Sequence, residues 1–166
     1  MHKIGEKIVY GSQGVMEIID IKEELVGDVS RKYYVLRELD SVYLSQTYVP
    51  VDNEKLVCAM RPLLTKAEIM EIISKISTLP EVEWQRDNRL RSEKFRSIIE
   101  SGDREGMLAL IKTVYENGKR RNEAGKKNYL TDESFMHKAE KLVFSEFATV
   151  LGINVSDVPS FIEKNL

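Results

Sequence analysis

Histidine and cysteine, two residue types often used in catalysis, are scarce in this sequence, and their positions match no catalytic pattern. The chain has two histidines, His2 and His137, and one cysteine, Cys58. A histidine needs an orienting partner to act as an acid or base, and residues 56–59 form an apolar setting in which a buried thiol is expected. Residues 11–14 hold two glycines without the lysine and following helix of a phosphate-binding loop. We therefore expect a protein that is not an enzyme and needs no metal or cofactor.

Charge is distributed unevenly along the chain. Residues 84–127 contain twelve Lys and Arg against seven Asp and Glu, a local charge of +5, whereas the whole chain carries -2. Lys and Arg gain affinity for a nucleic-acid backbone because their binding releases condensed counterions. A solvated helix face is the alternative explanation, so the segment indicates a DNA-binding surface without establishing one.

Trp84 is the only tryptophan, and it precedes the most basic segment. A lone tryptophan usually belongs to a core, because burial of its large apolar area is favourable. The alternative is an exposed wedge that unstacks a base step in a DNA minor groove. The residue types alone leave both explanations open.

The composition indicates a soluble, folded protein. Hydrophobic residues make up 42% of the chain and charged residues 31%, values typical of globular proteins. The single cysteine excludes an internal disulfide and fits a reducing compartment. No apolar run approaches the roughly 20 residues of a membrane span, and the first residues lack the apolar stretch of a signal peptide. These features predict a cytoplasmic location.

The first third of the chain has the pattern of short antiparallel strands. Runs of β-branched and aromatic residues are separated by turn residues, and Pro50 should end a strand or confine it to a sheet edge. This pattern predicts a small antiparallel sheet or barrel. The predicted strands cover residues 7–10, 15–21, 32–36 and 42–49, with turns at 11–14, 27–28 and 40–41.

After Pro62 the apolar period changes to that of helices. One helix is predicted over residues 66–77, a second after Trp84, a third after Asp103, a fourth over 132–151 and a short one over 158–164. The second should bury Leu90, Phe95, Ile98 and Ile99. Gly102 is typical of a helix stop and Asp103 of an N-cap. Residues 117–128 are polar and predict a long connection.

These elements predict an α+β protein. A β module of the small-barrel, Tudor-like (SH3-like) type occupies residues 1–62, a helix and linker residues 63–80, and an all-helical domain residues 81–166. An exposed sheet edge in the β module is a recognition surface for a partner strand, unless the first helix covers it.

Similarity to a known family extends along nearly the whole chain. Residues 3–10, Gly14, residues 33–36 and 49–53 and Arg61-Pro62-Leu63 resemble the N-terminal module of CarD/CdnL transcription regulators. Trp84, Lys94-Phe95, Ser101-Gly102-Asp103 and residues 139–142 resemble the family's C-terminal domain.

The resemblance implies a bacterial regulator that binds RNA polymerase and promoter DNA. The N-terminal module would add its sheet edge to the polymerase β subunit, and the helical domain would hold the melted promoter bubble open, with little sequence specificity. Trp84 would be the wedge. The other implied DNA contacts are Arg86, Arg89, Arg91, Lys94, Lys119, Arg120 and Arg121. The implied polymerase contacts are Glu23, Glu24, Tyr34, Tyr48 and Pro50; Glu23, Glu24 and Tyr48 stand where well-known members place arginines.

One alternative comes from a different functional class. In a protein-binding adaptor, the barrel would dock a partner and the basic helices would be a solvated surface without DNA engagement. We expect a nucleoid-associated monomer, with an edge-strand dimer or domain swap as the alternative when the sheet edge is uncovered.

Overall fold

The computed structural model describes residues 1–39 and 41–166. The turn predicted at residues 40–41 includes Asp40, which lies outside the described residues. The chain divides into two compact units, Met1–Leu63 and Leu64–Leu166.

The N-terminal unit is a five-stranded antiparallel sheet. Its strands are β1 (Lys7–Tyr10), β2 (Val15–Val26), β3 (Val29–Glu38), β4 (Gln46–Pro50) and β5 (Met60–Pro62), in the spatial order β4-β3-β2-β1-β5. A short helix, α1 (Glu54–Cys58), precedes β5. The described pairings leave β4 and β5 as edges, so a closed barrel is not observed. The predicted edge position of Pro50 is confirmed, because Pro50 ends β4.

The sheet is held together by apolar residues on alternate strand positions. Ile8 and Tyr10 of β1, Tyr34 and Leu36 of β3, and Val49 of β4 are buried in one cluster. Residues that alternate along a strand share a face, so this cluster is the inner face of the sheet. The predicted turns at residues 11–14 and 27–28 join β1 to β2 and β2 to β3.

Cys58 is an exception to the predicted burial. It is exposed at the end of α1. The apolar neighbours along the sequence suggested a buried thiol, but successive residues of a helical turn point in different directions, and Cys58 faces solvent.

The C-terminal unit is helical. Its helices are α2 (Lys66–Lys75), α3 (Asn88–Ser101), α4 (Arg104–Glu123), α5 (Leu130–Leu151) and α6 (Val158–Lys164), with short 3-10 turns at Ile76–Thr78 and Val155–Asp157. Gly102 adopts the left-handed conformation that ends α3, with φ 67°, and the side chain of Asp103 caps α4, as predicted.

One apolar core joins the helices of this unit. Ile69 and Ile73 of α2, Phe95 of α3, Leu110 of α4 and Phe147 of α5 are all within it. The segment expected as a helix and linker, residues 63–80, therefore contributes Ile69 and Ile73 to the same core as the helices that follow.

Two helix predictions need correction. Leu90 is 46% exposed, and Arg91 is buried in its place because it has a buried acidic partner. Helix α4 also continues to Glu123 through most of the expected connection at residues 117–128. Lys, Arg and Glu are polar but have high helix propensity. A polar stretch rich in them can therefore extend an established helix. No helix of the described chain is long and apolar enough to span a membrane.

Candidate functional site

Trp84 lies in an extended segment before α3, in a half-buried seat on the helical core. Its ring meets the ring of Phe95 edge to face, with the centroids 6.4 Å apart. The guanidinium carbon of Arg91 lies over the indole, 4.6 Å from the ring centroid. The indole therefore belongs partly to the core and partly to the surface, between the two alternatives that the sequence left open.

Arg91 differs from the implied DNA contact because its side chain is buried. Its Nε donates to both carboxylate oxygens of Asp132 at 3.0 Å, and its Nη1 donates to the Gln85 carbonyl at 2.9 Å. Its Nη2 donates to Asn88 Oδ1 at 2.8 Å. A guanidinium with these partners and 2% residue exposure has no surface to offer a phosphate. We therefore remove Arg91 from the DNA contacts.

The extended segment that carries Trp84, residues 79–87, is attached to the helices along its length. We call it the Trp84 strap. Lys112 Nζ donates to the Leu79 carbonyl at 2.8 Å, and the backbone N–H of Val82 donates to Thr113 Oγ1 at 2.7 Å. At the end of the strap, the Asp87 side chain caps α3. A segment without regular structure is thus fixed by hydrogen bonds to α3 and α4.

The basic residues close to the strap differ in their exposure and in how closely they pair with acidic residues. Arg86 is exposed with no ion pair in the described parts of the chain. Arg89 is exposed and lies 3.9 Å from Glu93, a distance that gives weak pairing. Lys94 is partly covered, and its Nζ lies 3.6 Å from Glu83. Arg86 is therefore the best placed of the three to meet a phosphate.

A second basic group lies at the C-terminal end of α4. Lys119 is exposed with no ion pair within the described residues. Arg120 pairs with Glu81 of the strap at 3.1 Å, and this hydrogen bond raises the pKa of Arg120. The guanidinium carbon of Arg121 lies 3.9 Å from the centroid of the Tyr129 ring. Lys119 keeps its charge available, while Arg120 and Arg121 are also structural.

Three residues of this site were not identified from the sequence. Thr113 anchors the strap, Asp132 binds Arg91, and the Tyr129 ring lies against the Arg91 guanidinium, whose carbon is 4.8 Å from the ring centroid. A hydroxyl at an otherwise apolar position of α4 was the available signal for Thr113. No local signal marks Asp132, because its partner is 41 residues away.

In the N-terminal unit, the two tyrosines assigned to polymerase binding differ in accessibility. Tyr34 is 2% exposed and packs edge to face with the His2 ring, with ring centroids 5.6 Å apart. Tyr48 is 41% exposed on edge strand β4, where its ring packs edge to face on Tyr33. Tyr34 is therefore corrected from a partner contact to a core residue. Tyr48 stays on an accessible edge.

The other implied polymerase contacts lie on two strands. Glu23 and Glu24 are exposed on the distal part of β2, where Glu23 accepts a hydrogen bond from the Ser30 hydroxyl. Pro50 is half-buried at the end of β4. Edge strand β4 and the β2–β3 hairpin are thus the surfaces that present these residues. Across the described residues, no group of three or more His, Cys, Asp or Glu could hold a metal ion.

A comparison with protein families identifies the N-terminal unit. Residues 2–64 match the family described as CarD-like/TRCF RID domain. The chain carries a CarD-like/TRCF RID domain. The match covers the whole five-stranded sheet, and this domain family is associated with interaction with the RNA polymerase β subunit. No curated protein matches the chain.

The RID domain confirms the resemblance stated from the sequence for this part of the chain. The α+β class is confirmed as well, with the sheet followed by helices. The matched residues end where the helical unit begins, so the role of residues 65–166 depends on their own geometry.

Proposed function

We propose that this protein is a non-enzymatic transcription regulator that binds the RNA polymerase β subunit through its RID domain. Through its helical unit it binds promoter DNA and stabilises the open complex. The observation that carries the proposal is the RID match over residues 2–64. The proposed location is the cytoplasm, on the nucleoid, and the proposed active form is a monomer.

The polymerase side of the proposal uses the open edge of the sheet. Strand β4 is paired with β3 on one side only among the described strands. An extended segment of a partner can add to such an edge through backbone hydrogen bonds, while exposed side chains such as Tyr48 select the partner. The acidic pair Glu23 and Glu24 would then favour a basic patch on the β subunit.

The DNA side of the proposal uses a partly exposed indole beside free basic groups. Trp84 is seated on Phe95 with part of its surface in solvent, and Arg86 lies two residues further along the strap. An apolar wedge between base steps keeps a duplex kinked and unstacked, and phosphate contacts position the protein without reading sequence. Insertion at the edge of a melted bubble would slow its closure.

The test compares Trp84→Ala with the parent protein in two assays. We expect unchanged affinity for the polymerase β subunit and a shorter lifetime of the open promoter complex. Losing one aromatic–base stack costs about 1–3 kcal/mol, which corresponds to a lifetime shorter by roughly five-fold to more than one hundred-fold. Tyr115→Ala is the matched control, because Tyr115 is an aromatic residue of the same unit that is 61% exposed and lies outside the strap.

Two results would change the proposal. If Trp84→Ala and the parent give equal open-complex lifetimes while both bind the polymerase, the proposed DNA role is wrong. The remaining function is then that of a protein-binding adaptor without DNA engagement. Failure of the parent protein to bind the β subunit would remove the polymerase role.

A further inference from the structure

The interaction between Trp84 and Arg91 extends beyond simple stacking. The guanidinium carbon lies over the indole, 4.6 Å from the ring centroid, and the same guanidinium donates a 2.9 Å hydrogen bond to the carbonyl of Gln85, the residue after Trp84. One side chain therefore holds both the ring and the backbone next to it. A tyrosine or a leucine at position 91 would offer neither the donors nor the cation.

Arg91 is itself fixed on its remaining sides. The carboxylate of Asp132 accepts from Nε with both oxygens, Asn88 accepts from Nη2, and the ring of Tyr129 covers the guanidinium at 4.8 Å. The side chains of Arg91 and Asp132 are 3% and 4% exposed. A buried cation is costly unless it is paired and hydrogen-bonded, and here both conditions are met.

This arrangement restricts the motion of the indole before DNA arrives. Insertion of a mobile side chain into DNA costs conformational entropy, whereas a side chain already held in its bound pose avoids that cost. The planar, five-donor guanidinium suits this role, since lysine has no fork to bond a carboxylate and a carbonyl together. Phe95 contacts the Trp84 ring, whereas Arg91 contacts the ring and also bonds the strap backbone at Gln85.

We propose that Arg91 is a positioning residue that holds Trp84 in the pose in which it enters promoter DNA, with Asp132 holding Arg91. This inference rests on the proposed function for its DNA readout, but the fixation of the indole is testable on the free protein.

The experiment uses the full chain and its single tryptophan as the probe. Arg91→Lys keeps the charge and removes the fork. Acrylamide quenching and fluorescence anisotropy of Trp84 report its exposure and mobility, and open-complex lifetime with RNA polymerase reports function. Arg104→Lys is the matched control, because Arg104 is a largely buried arginine of the same unit that pairs with a buried carboxylate through two guanidinium nitrogens. That pair joins Arg104 to Glu146 at 2.9 and 2.7 Å.

We expect Arg91→Lys to raise acrylamide quenching and lower the anisotropy of Trp84. We expect it to shorten the open-complex lifetime by roughly ten-fold, within the range for loss of an aromatic–base stack. In a Trp84→Ala background, Arg91→Lys should have no further effect on lifetime, because both changes remove the same interaction. Arg104→Lys should lower the urea midpoint of unfolding yet leave Trp84 quenching and lifetime as in the parent.

Several outcomes would overturn the inference. Parental quenching and anisotropy in Arg91→Lys would show that Arg91 does not hold the indole. A loosened indole with parental lifetime would show that the fixed pose is not needed. A further lifetime loss in the Trp84→Ala background, or a similar loss in Arg104→Lys, would assign the effect to general stability.

If the proposed role in open-complex stabilisation is wrong, the experiment gives a different result. In that case Trp84→Ala itself would keep the parental lifetime, while quenching of Arg91→Lys would still decide whether Arg91 positions the indole. If Arg91→Lys does not fold, Asp132→Asn supplies the test, because it retains the side-chain shape and removes the charge that holds Nε. The same quenching and lifetime criteria then apply.

Discussion

The hydroxyl of Thr113 in α4 accepts a 2.7 Å hydrogen bond from the backbone N–H of Val82 in the Trp84 strap. The same hydroxyl donates to the carbonyl of Ala109 at 2.7 Å, and Thr113 is 1% exposed. A hydroxyl can donate and accept at once, so this one buried oxygen is the hydrogen-bond partner of both a carbonyl in the helix and an amide in the strap. This bond fixes the strap two residues before Trp84.

Thr113→Val should therefore destabilise the helical unit and loosen Trp84. The substitution keeps the shape of the side chain but leaves the Val82 amide without its partner, at a cost of about 1–3 kcal/mol in the free energy of unfolding. Urea unfolding measures the loss, and acrylamide quenching of Trp84 should increase under native conditions.

Thr149→Val is the control for this prediction. The Thr149 hydroxyl donates to the Ser145 carbonyl of its own helix at 2.8 Å, so the chemical change is the same and the strap is not involved. If both variants quench like the parent, the Val82–Thr113 bond does not control the position of Trp84.

Burial separates two tyrosines of the RID domain into different roles. Tyr48→Ala should weaken binding to the polymerase β subunit with little effect on unfolding, because Tyr48 is 41% exposed on edge strand β4. Tyr34→Ala should destabilise the domain by about 3–5 kcal/mol, the cost of truncating a buried aromatic residue. Titration of the β subunit and thermal unfolding distinguish the two. A Tyr48→Ala variant with unchanged affinity would place the polymerase contact away from β4.

The start of helix α2 carries an acid-sensitive cap. The backbone N–H of Thr65 donates to Glu68 Oε2 at 2.7 Å, and the backbone N–H of Glu68 donates to Thr65 Oγ1 at 3.2 Å. Hydrogen bonds from the Thr65 backbone and then its side chain lower the pKa of Glu68 below its usual 4.5. The contribution of the ionised carboxylate is therefore present above pH 4.5 and is lost as the pH falls through the lowered pKa.

Glu68→Ala should consequently reduce the stability of the helical unit at pH 7 more than at pH 3. Denaturant unfolding of the parent and the variant at both pH values measures this difference. Glu163→Ala is the control, because Glu163 is an exposed glutamate of α6 outside the cap. An equal effect of Glu68→Ala at the two pH values would show that the ionised form of Glu68 does not stabilise α2.

Local patterns in the sequence predict the elements better than the contacts between them. The alternation of Ile8 with Tyr10 and the left-handed stop at Gly102 depend on neighbouring residues, so strands and helix ends could be predicted. Leu90 was expected in the core because it is apolar. Its neighbour Arg91 is buried instead, since Asp132 compensates its charge from 41 residues away. Such a pair leaves no periodic signal in a single sequence.

The candidate site could be predicted only in part for the same reason, because contacts between distant residues leave no local signal in the sequence. Tyr34 and Tyr48 are alike in residue type, and only the strand register and the position of β4 at the edge separate core from surface. Charge counting along residues 84–127 included Arg91, Arg104 and Lys112. In the structure the first two form ion pairs with Asp132 and Glu146, and Lys112 binds backbone carbonyls. The surface available to a phosphate backbone is therefore smaller than the sequence count indicates.

That difference predicts which charges control the salt dependence of DNA binding. Arg86 and Lys119 are exposed and have no ion pair within the described chain, so each can neutralise a phosphate. The slope of log affinity against log salt concentration falls by about 0.9 for each phosphate contact removed from duplex DNA. The double variant Arg86→Ala/Lys119→Ala should therefore lower the slope by about 1.8 with a short promoter duplex. Lys138→Ala/Lys164→Ala removes two exposed lysines of the same unit outside residues 84–127, and it should leave the slope unchanged. Equal slopes for both double variants would mean that DNA is not held by the surface beside the Trp84 strap.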